Sequence, residues 1–307
     1  MNPAYSVILF TTSSGAGYGL LFLLGLVGLN HGRASSIAFA VTCMAVSLTL
    51  ITVGLLSSTF HLGHPERAWR ALSQWRSSWL SREGVLAVVT YPVALAFALV
   101  WSGLWDAPQW IAPLGVLTSA LCVATVFCTG MIYASLKTIA RWNNNLVPVV
   151  YLILALATGA CILAAIATPF GRWQVFQAGL ALVALALAVI AKFIYWRRTD
   201  AARKTRTTGS ATGLGEQVRQ WEVPHTNINF VQKEMGYAVA RKHATKLRMA
   251  VILLLALAFF LTGCTFISPW FSFAVLPPLA FAVWAERWLF FAEAEHVVML
   301  YYGAEHR

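Results

Sequence analysis

Residues 249–285, MAVILLLALAFFLTGCTFISPWFSFAVLPPLAFAVWA, run for 37 positions without an Asp, Glu, Lys or Arg. A hydrocarbon core ~30 Å thick is crossed by about 20 apolar residues rising 1.5 Å each, so this run is too long for a single span. Ser268-Pro269 is a natural turn near its middle and divides it in two. Six further charge-free windows precede it, at 1–32, 34–65, 84–105, 107–136, 142–171 and 173–191. Each is long enough to cross once. The expectation is an all-α, polytopic integral membrane protein with eight transmembrane helices, near 6–29, 37–60, 84–104, 110–133, 147–168, 173–196, 248–267 and 271–292.

Composition agrees. Of 307 residues 59% are hydrophobic and 11% charged, and the mean hydropathy is +0.69, which excludes a water-soluble globule. The opening MNPAYSVILF has no basic segment before its apolar run and no small-residue cleavage site after it, so a retained first helix is expected rather than a signal peptide. Cys43, Cys122, Cys128, Cys161 and Cys264 all fall inside expected spans without C-x-x-C spacing, and read as apolar packing residues, not cluster ligands.

With eight spans the two termini share a face with segments 61–83, 134–146 and 197–247. That face takes 20 of the 22 Lys and Arg residues, including Lys192 and Arg287 near helix ends, and the opposite face keeps only Arg33 and Arg172. The positive-inside rule then places both termini and the long loop in the cytoplasm. Residues 1–307 read as a single membrane domain, with 197–247 a basic cytoplasmic loop within it. The net charge of +11 is explained by this face, without nucleic acid.

Two loops stand out. The first, FHLGHPERAWRALSQWRSSWLSREG (60–84), joins the second and third spans and holds His61, His64, Glu66, Glu83, four arginines and three tryptophans. Interfacial anchoring accounts for most of these side chains. His61 ends a long apolar run, where an imidazole either bonds a backbone carbonyl at the helix end or exchanges a proton near neutral pH. Glu83 reads as an N-terminal helix cap, favoured by the dipole, or, if the two helices form a hairpin, as the partner of His61 at the same depth. The second loop opens as a Gly/Ser/Thr/basic linker, RRTDAARKTRTTGSATGLGE. It continues into a short amphipathic pattern (Phe230, Val231, Met235, Tyr237, Val239) suited to the membrane surface or a partner. At the end of the eighth span, Glu286 and Arg287 read as an ion pair, with each other or with a neighbouring helix, or as an interfacial anchor, with Glu286 also a candidate for proton delivery. Glu293, Glu295 and His296 beyond it read as a solvated face, and Asn143-Asn144-Asn145 as loop and helix cap.

The run His61-Leu-Gly-His-Pro-Glu-Arg-Ala68, the segment Trp79-Leu-Ser-Arg-Glu83 and the triplet Glu286-Arg287-Trp288 resemble the membrane anchor subunit of the dimethyl sulfoxide reductase family. The resemblance spans essentially the whole chain. It implies an eight-helix protein without haem or metal of its own that tethers a molybdopterin catalytic subunit and an iron-sulfur electron-transfer subunit. It also implies electron exchange with membrane quinone, ubiquinone or menaquinone. The family's quinone-site histidine corresponds to His61; Glu83 follows as its neighbour across the hairpin, and Arg67, Trp69, Arg70 and Arg76 as neighbours in the same loop. Because His61 lies on the basic face, and because HPERAWRALSQWRSSWLSREG and the long basic loop look like those of cytoplasmic sulfite dehydrogenase anchors, the resemblance implies sulfite oxidation coupled to quinone reduction. The alternative within the family is quinol oxidation by a dimethyl sulfoxide reductase-type enzyme.

Two other classes make different demands. A haem-bearing cytochrome b needs facing histidine pairs inside the membrane, and His31, His61, His64, His225, His243, His296 and His306 all fall in loops or at helix ends. A small-molecule transporter calls for inverted repeats and broken helices. Pro92, Pro148 and Pro277-Pro278 interrupt spans, but no repeat relates the two halves, and kinks are the simpler reading.

Overall fold

The structure, a computed structural model, describes residues 3–60, 62–204, 207–215, 218, 221, 222, 227, 229, 230, 232 and 239–302. Eight long helices dominate it: α1 (Tyr5–His31), α2 (Ile37–Thr59), α3 (Trp79–Ser102), α4 (Ile111–Ala134), α5 (Leu146–Ala167), α6 (Val175–Lys204), α7 (Val239–Cys264) and α8 (Phe271–Ala292). All eight are long and apolar enough to cross a membrane. Helices are what the solvent demands, because lipid offers no partner to a backbone N–H or C=O and a helix satisfies both within itself. Among the described residues no strand forms; one isolated bridge joins Ile139 to His296.

Polar side chains set the helix starts. Ser36 accepts a 3.1 Å bond from the Phe39 N–H, and Ser78 a 3.4 Å bond from the Ser81 N–H, so α3 begins at Trp79 and not at the expected residue 84. The turn anticipated at Ser268-Pro269 separates α7 from α8. Pro92 and the Pro277-Pro278 pair lie inside continuous helices, and Pro148 sits in the first turn of α5. The expected linker is partly helical: α6 continues to Lys204, and Thr208–Thr212 forms one further turn. A charge ends a membrane span without ending a helix, which is why 197–204 extends α6 beyond its apolar stretch. Of the amphipathic pattern, Val231, Met235 and Tyr237 lie outside the described residues; Phe230 is exposed and Val239 starts α7.

Helix α1 is the hub and packs on α2, α4 and α5. Two crossings are close enough to exclude a side chain. A Cβ on Gly19 would collide with the Ala155 carbonyl of α5, and one on Gly159 with the backbone of Gly19; Gly25 and Gly115 meet in the same way between α1 and α4. Where lipid tails are as apolar as leucine, such close backbone approach and interhelical hydrogen bonds hold helices together. Ser13 donates to the Leu50 carbonyl of α2 (2.7 Å), and Ser119 of α4 to the Phe22 carbonyl of α1 (2.9 Å).

The hydrogen bonds also define two ends. At one, Ser57 Oγ donates to the Ser6 carbonyl (3.0 Å), Trp142 Nε1 to the Phe290 carbonyl (2.9 Å) and the Val297 N–H to the Thr138 carbonyl (3.0 Å). At the other, Arg33 pairs with Asp106, the Ala34 N–H reaches the Trp101 carbonyl (2.9 Å), and the Thr168 and Ser272 hydroxyls lie 3.0 Å apart. The even number of crossings therefore puts the segments 61–83, 134–146 and 197–247 at the first end.

Replacing Gly19 by Ala is expected to cost ~3 kcal/mol by overpacking, whereas Gly179→Ala, whose added methyl meets nothing within 4 Å, should be close to neutral. Thermal unfolding midpoints in detergent test the pair; equal midpoints would contradict the tight α1–α5 crossing.

Candidate functional site

Helix α3 and the preceding 3-10 helix Pro65–Gln74 build the first part of the site. The Ser81 hydroxyl donates to the Ala71 carbonyl and fixes the short helix over the start of α3. Arg82 donates to the carbonyls of Trp75 (2.9 Å) and Arg76 (2.7 Å) and lies 4.3 Å from the Trp79 ring centroid. With Ser78 as the cap, Glu83 falls in the second turn and turns inward. It is 4% exposed, and its carboxylate accepts a hydrogen bond from Thr129 of α4. Glu83 is therefore not the cap of α3; it is a carboxyl group buried between two membrane helices. Among the described residues Thr129 is its one hydrogen-bond partner, which leaves the second oxygen unclaimed.

His61 lies outside the described residues. Its neighbours Phe60 and Leu62 are exposed. Arg67, Trp69, Arg70 and Arg76 are exposed as well, spread along the short helix and just past it; Arg67 lies 3.6 Å from Glu66, and Arg70 and Arg76 stack on Trp69 and Trp75. They form a basic, aromatic surface above Glu83 and do not converge on it.

Glu286 occupies the second part. It is 1% exposed and clamped between two cations, with Lys192 Nζ of α6 2.5 Å from one oxygen and Arg287 Nε 2.5 Å from the other. Both pairings read from the sequence form: Glu286 meets Arg287 beside it and a neighbouring helix through Lys192 of α6. Lys192 is not at a helix end, because α6 runs twelve residues past it to Lys204. Rings complete the enclosure. The Arg287 guanidinium lies 3.8 Å from the Tyr151 centroid, and Lys192 lies 4.3 and 4.8 Å from those of Tyr195 and Trp196. Such cation–π contacts take up part of the excess positive charge where water is excluded.

One partner of each carboxylate borders a common space. A cavity of about 20 Å³ is lined by Thr11, Ser14, Thr129, Tyr151, Thr158 and Arg287. Thr129 holds Glu83, and Arg287 holds Glu286. The Tyr151 hydroxyl and both Nη atoms of Arg287 are buried without a hydrogen-bond partner among the described residues. Space of that size admits one water molecule, and orphaned donors in a polar cavity are what hold it.

Toward the end of the bundle a third cluster covers this one. Arg248 of α7 bonds Asp200 of α6 (2.7 Å) and Glu293 (2.8 Å), and Arg141 from the α4–α5 loop reaches Asp200 at 3.0 Å and Glu293 at 3.6 Å. Glu293 is buried, which corrects its reading as part of a solvated face. The asparagines behave as read: Asn144 Oδ1 accepts from the Leu146 N–H (2.9 Å) at the start of α5, and Asn143 donates to the Ala134 carbonyl (2.7 Å) at the end of α4.

Eight apolar crossings with ionisable groups buried at one end define an integral membrane protein built to manage charge at a single surface. The comparisons narrow this class. A family model described as DMSO reductase anchor subunit (DmsC) matches residues 1–262, and the chain belongs to that family. It is 32% identical to a sulfite dehydrogenase subunit of Allochromatium vinosum over 332 aligned positions, covering 98% of this chain and 99% of that one. It is 25% identical to a subunit of the anaerobic dimethyl sulfoxide reductase of Haemophilus influenzae over 46% of this chain and 50% of that one.

Tyr151, Thr129, Arg141, Asp200 and Arg248 were not singled out from the sequence, and Lys192 was placed only near a helix end. A usable signal existed: Lys192 and Glu286 are opposite charges that close two apolar windows on the same face. Neutralising Glu286 by Gln leaves two buried cations together, and should cost about 3–5 kcal/mol. Lys192→Met leaves the neutral Glu286–Arg287 pair and should cost less. Chemical unfolding of the two variants gives the order, and a reversed order would contradict the triad.

Proposed function

We propose that this chain is the quinone-reactive anchor of a molybdenum and iron-sulfur oxidoreductase in the bacterial inner membrane, with both termini and the basic face in the cytoplasm. The partners are an iron-sulfur electron-transfer subunit, docked on the basic face, and a molybdopterin catalytic subunit beyond it. Sulfite oxidation is the favoured reaction, because the sulfite dehydrogenase relative aligns along nearly all of both chains while the dimethyl sulfoxide reductase relative aligns along half.

The observation that carries the reading is the buried Glu83 carboxyl with one oxygen unclaimed, at the head of α3 directly after the basic loop. Such a group suits a quinone oxygen: protonated it donates a hydrogen bond, and it sits where an apolar helix wall can receive an isoprenoid tail. His61, at the far end of the same loop in sequence, is the second head-group ligand, and Arg67, Trp69, Arg70 and Arg76 line the approach and supply positive potential. Quinone, when bound, accepts two electrons from the partner's clusters and two protons.

The chain's own residues handle those protons. Glu83 gives one up and is replenished through Thr129 and the small polar cavity, whose far wall is Arg287. Glu286, an anion held against Arg287 and Lys192, is the acceptor that passes protons inward on that side, and the Asp200 and Glu293 carboxylates above it link it to the cytoplasmic surface. General acid groups placed this way keep the negative charge developing on a quinone oxygen from lasting.

His61→Ala and Glu83→Gln are each expected to lower quinone-linked turnover of the complex by about 10²-fold or more, the scale of a lost acid–base group. Sulfite oxidation with a soluble electron acceptor should be unchanged. Equal loss in both assays, or no loss in either, would overturn the assignment.

A further inference from the structure

At the end of the bundle opposite Glu83 and Glu286 lies a much larger cavity, of about 680 Å³. Its apolar walls include Leu23 and Leu26 of α1, Leu156 and Leu163 of α5 and Leu180 of α6, joined by Phe39 of α2 and Trp101 of α3. Its polar lining is Asn30 and His31 at the end of α1, Gln177 near the start of α6, and Arg33, Ser35, Arg172 and Gln174 from the connections. Arg33 and Arg172 are also the two basic residues left on this face when the other 20 of the 22 are assigned to the opposite one. Basic residues are depleted on a translocated face, so the presence of both at one cavity mouth is a specific juxtaposition. Arg33 pairs with Asp106, whereas Arg172 is exposed and has no carboxylate partner among the described residues.

We propose that this cavity is a binding site for an anionic phospholipid of the leaflet at that end, with an acyl chain between α1, α5 and α6 and the phosphate on the Arg172 guanidinium. The chemistry fits both halves of such a molecule. A guanidinium forks onto phosphate oxygens in a bidentate way, and the Asn30 and Gln174 amides add donors beside it. A free inorganic anion has no use for walls of leucine. The volume lies within the range of lipid- and ligand-sized cavities. The inference is independent of the quinone reading, since it concerns the other end of the molecule and none of the residues assigned there.

The test is native mass spectrometry of the full-length chain, purified in detergent with its accompanying subunits, after incubation with phosphatidylglycerol or phosphatidylcholine. One phosphatidylglycerol per chain should be retained in preference to phosphatidylcholine and should raise the unfolding midpoint. Arg172→Gln should weaken retention about tenfold, the scale of one lost charge-assisted contact, and Arg172→Lys should restore part of it. Arg172→Gln lies in an exposed connection, so its lipid-free unfolding midpoint should match that of the unaltered chain. Equal retention of the two lipids, indifference of retention to Arg172→Gln, or displacement of the lipid by a short-chain ubiquinone analogue would each overturn the proposal.

Discussion

Two cations and one anion sealed inside an apolar bundle are the constraint around which the rest is arranged. Lys192, Glu286 and Arg287 are each 2% exposed or less, and removing such charges from water is tolerated only when partners are fixed at contact distance. That requirement ties α6 to α8 through the Lys192–Glu286 pair, and α5 to α8 through the Tyr151 ring under Arg287. The rings of Tyr133, Trp142, Tyr151, Phe290 and Phe291 pack against one another around the same region, and their bulk packs α4 and α5 onto α8.

The opposite packing style serves α1. Glycine and hydroxyl residues let its backbone touch α4 and α5, so that little side-chain volume fills the space between them. In the same helix Thr11 and Ser14 line the small polar cavity beside Thr129 and Arg287. Small residues thus do two things in one helix: they bring backbones together where lipid gives no drive to associate, and they leave a gap with polar walls where a bulkier residue would have closed it.

Much of this was open to reading in the linear chain, and the parts that were not share a cause. Charge-free length and the Ser268-Pro269 break fixed eight helices and their order, because the dimensions of a bilayer are a stringent filter. Cys43, Cys122, Cys128, Cys161 and Cys264 were foreseen as packing residues, and they are free thiols on separate parts of the bundle. Glu83, Lys192 and Glu293 were placed at surfaces because a charge marks where an apolar run stops. Each is instead buried by a partner distant in sequence: Thr129, Glu286 and Arg248. Pairing across helices is a three-dimensional property, and no periodicity within one helix announces it. The ends of α6 and α7 were misjudged for the related reason that Asp200 and Arg248 sustain helix beyond the hydrocarbon edge by bonding each other.

That last contact has a consequence for how the molecule tolerates change. Asp200 and Arg248 stand at the two feet of the segment 201–247 and are joined directly, with Arg141 and Glu293 bracing them from neighbouring connections. The stem is closed by its own electrostatic latch, so the span between the feet can lengthen or shorten at an entropic cost that grows only logarithmically. The alignment of α6 with α7 at that end is thus set by charges at its base and does not depend on the residues strung between them.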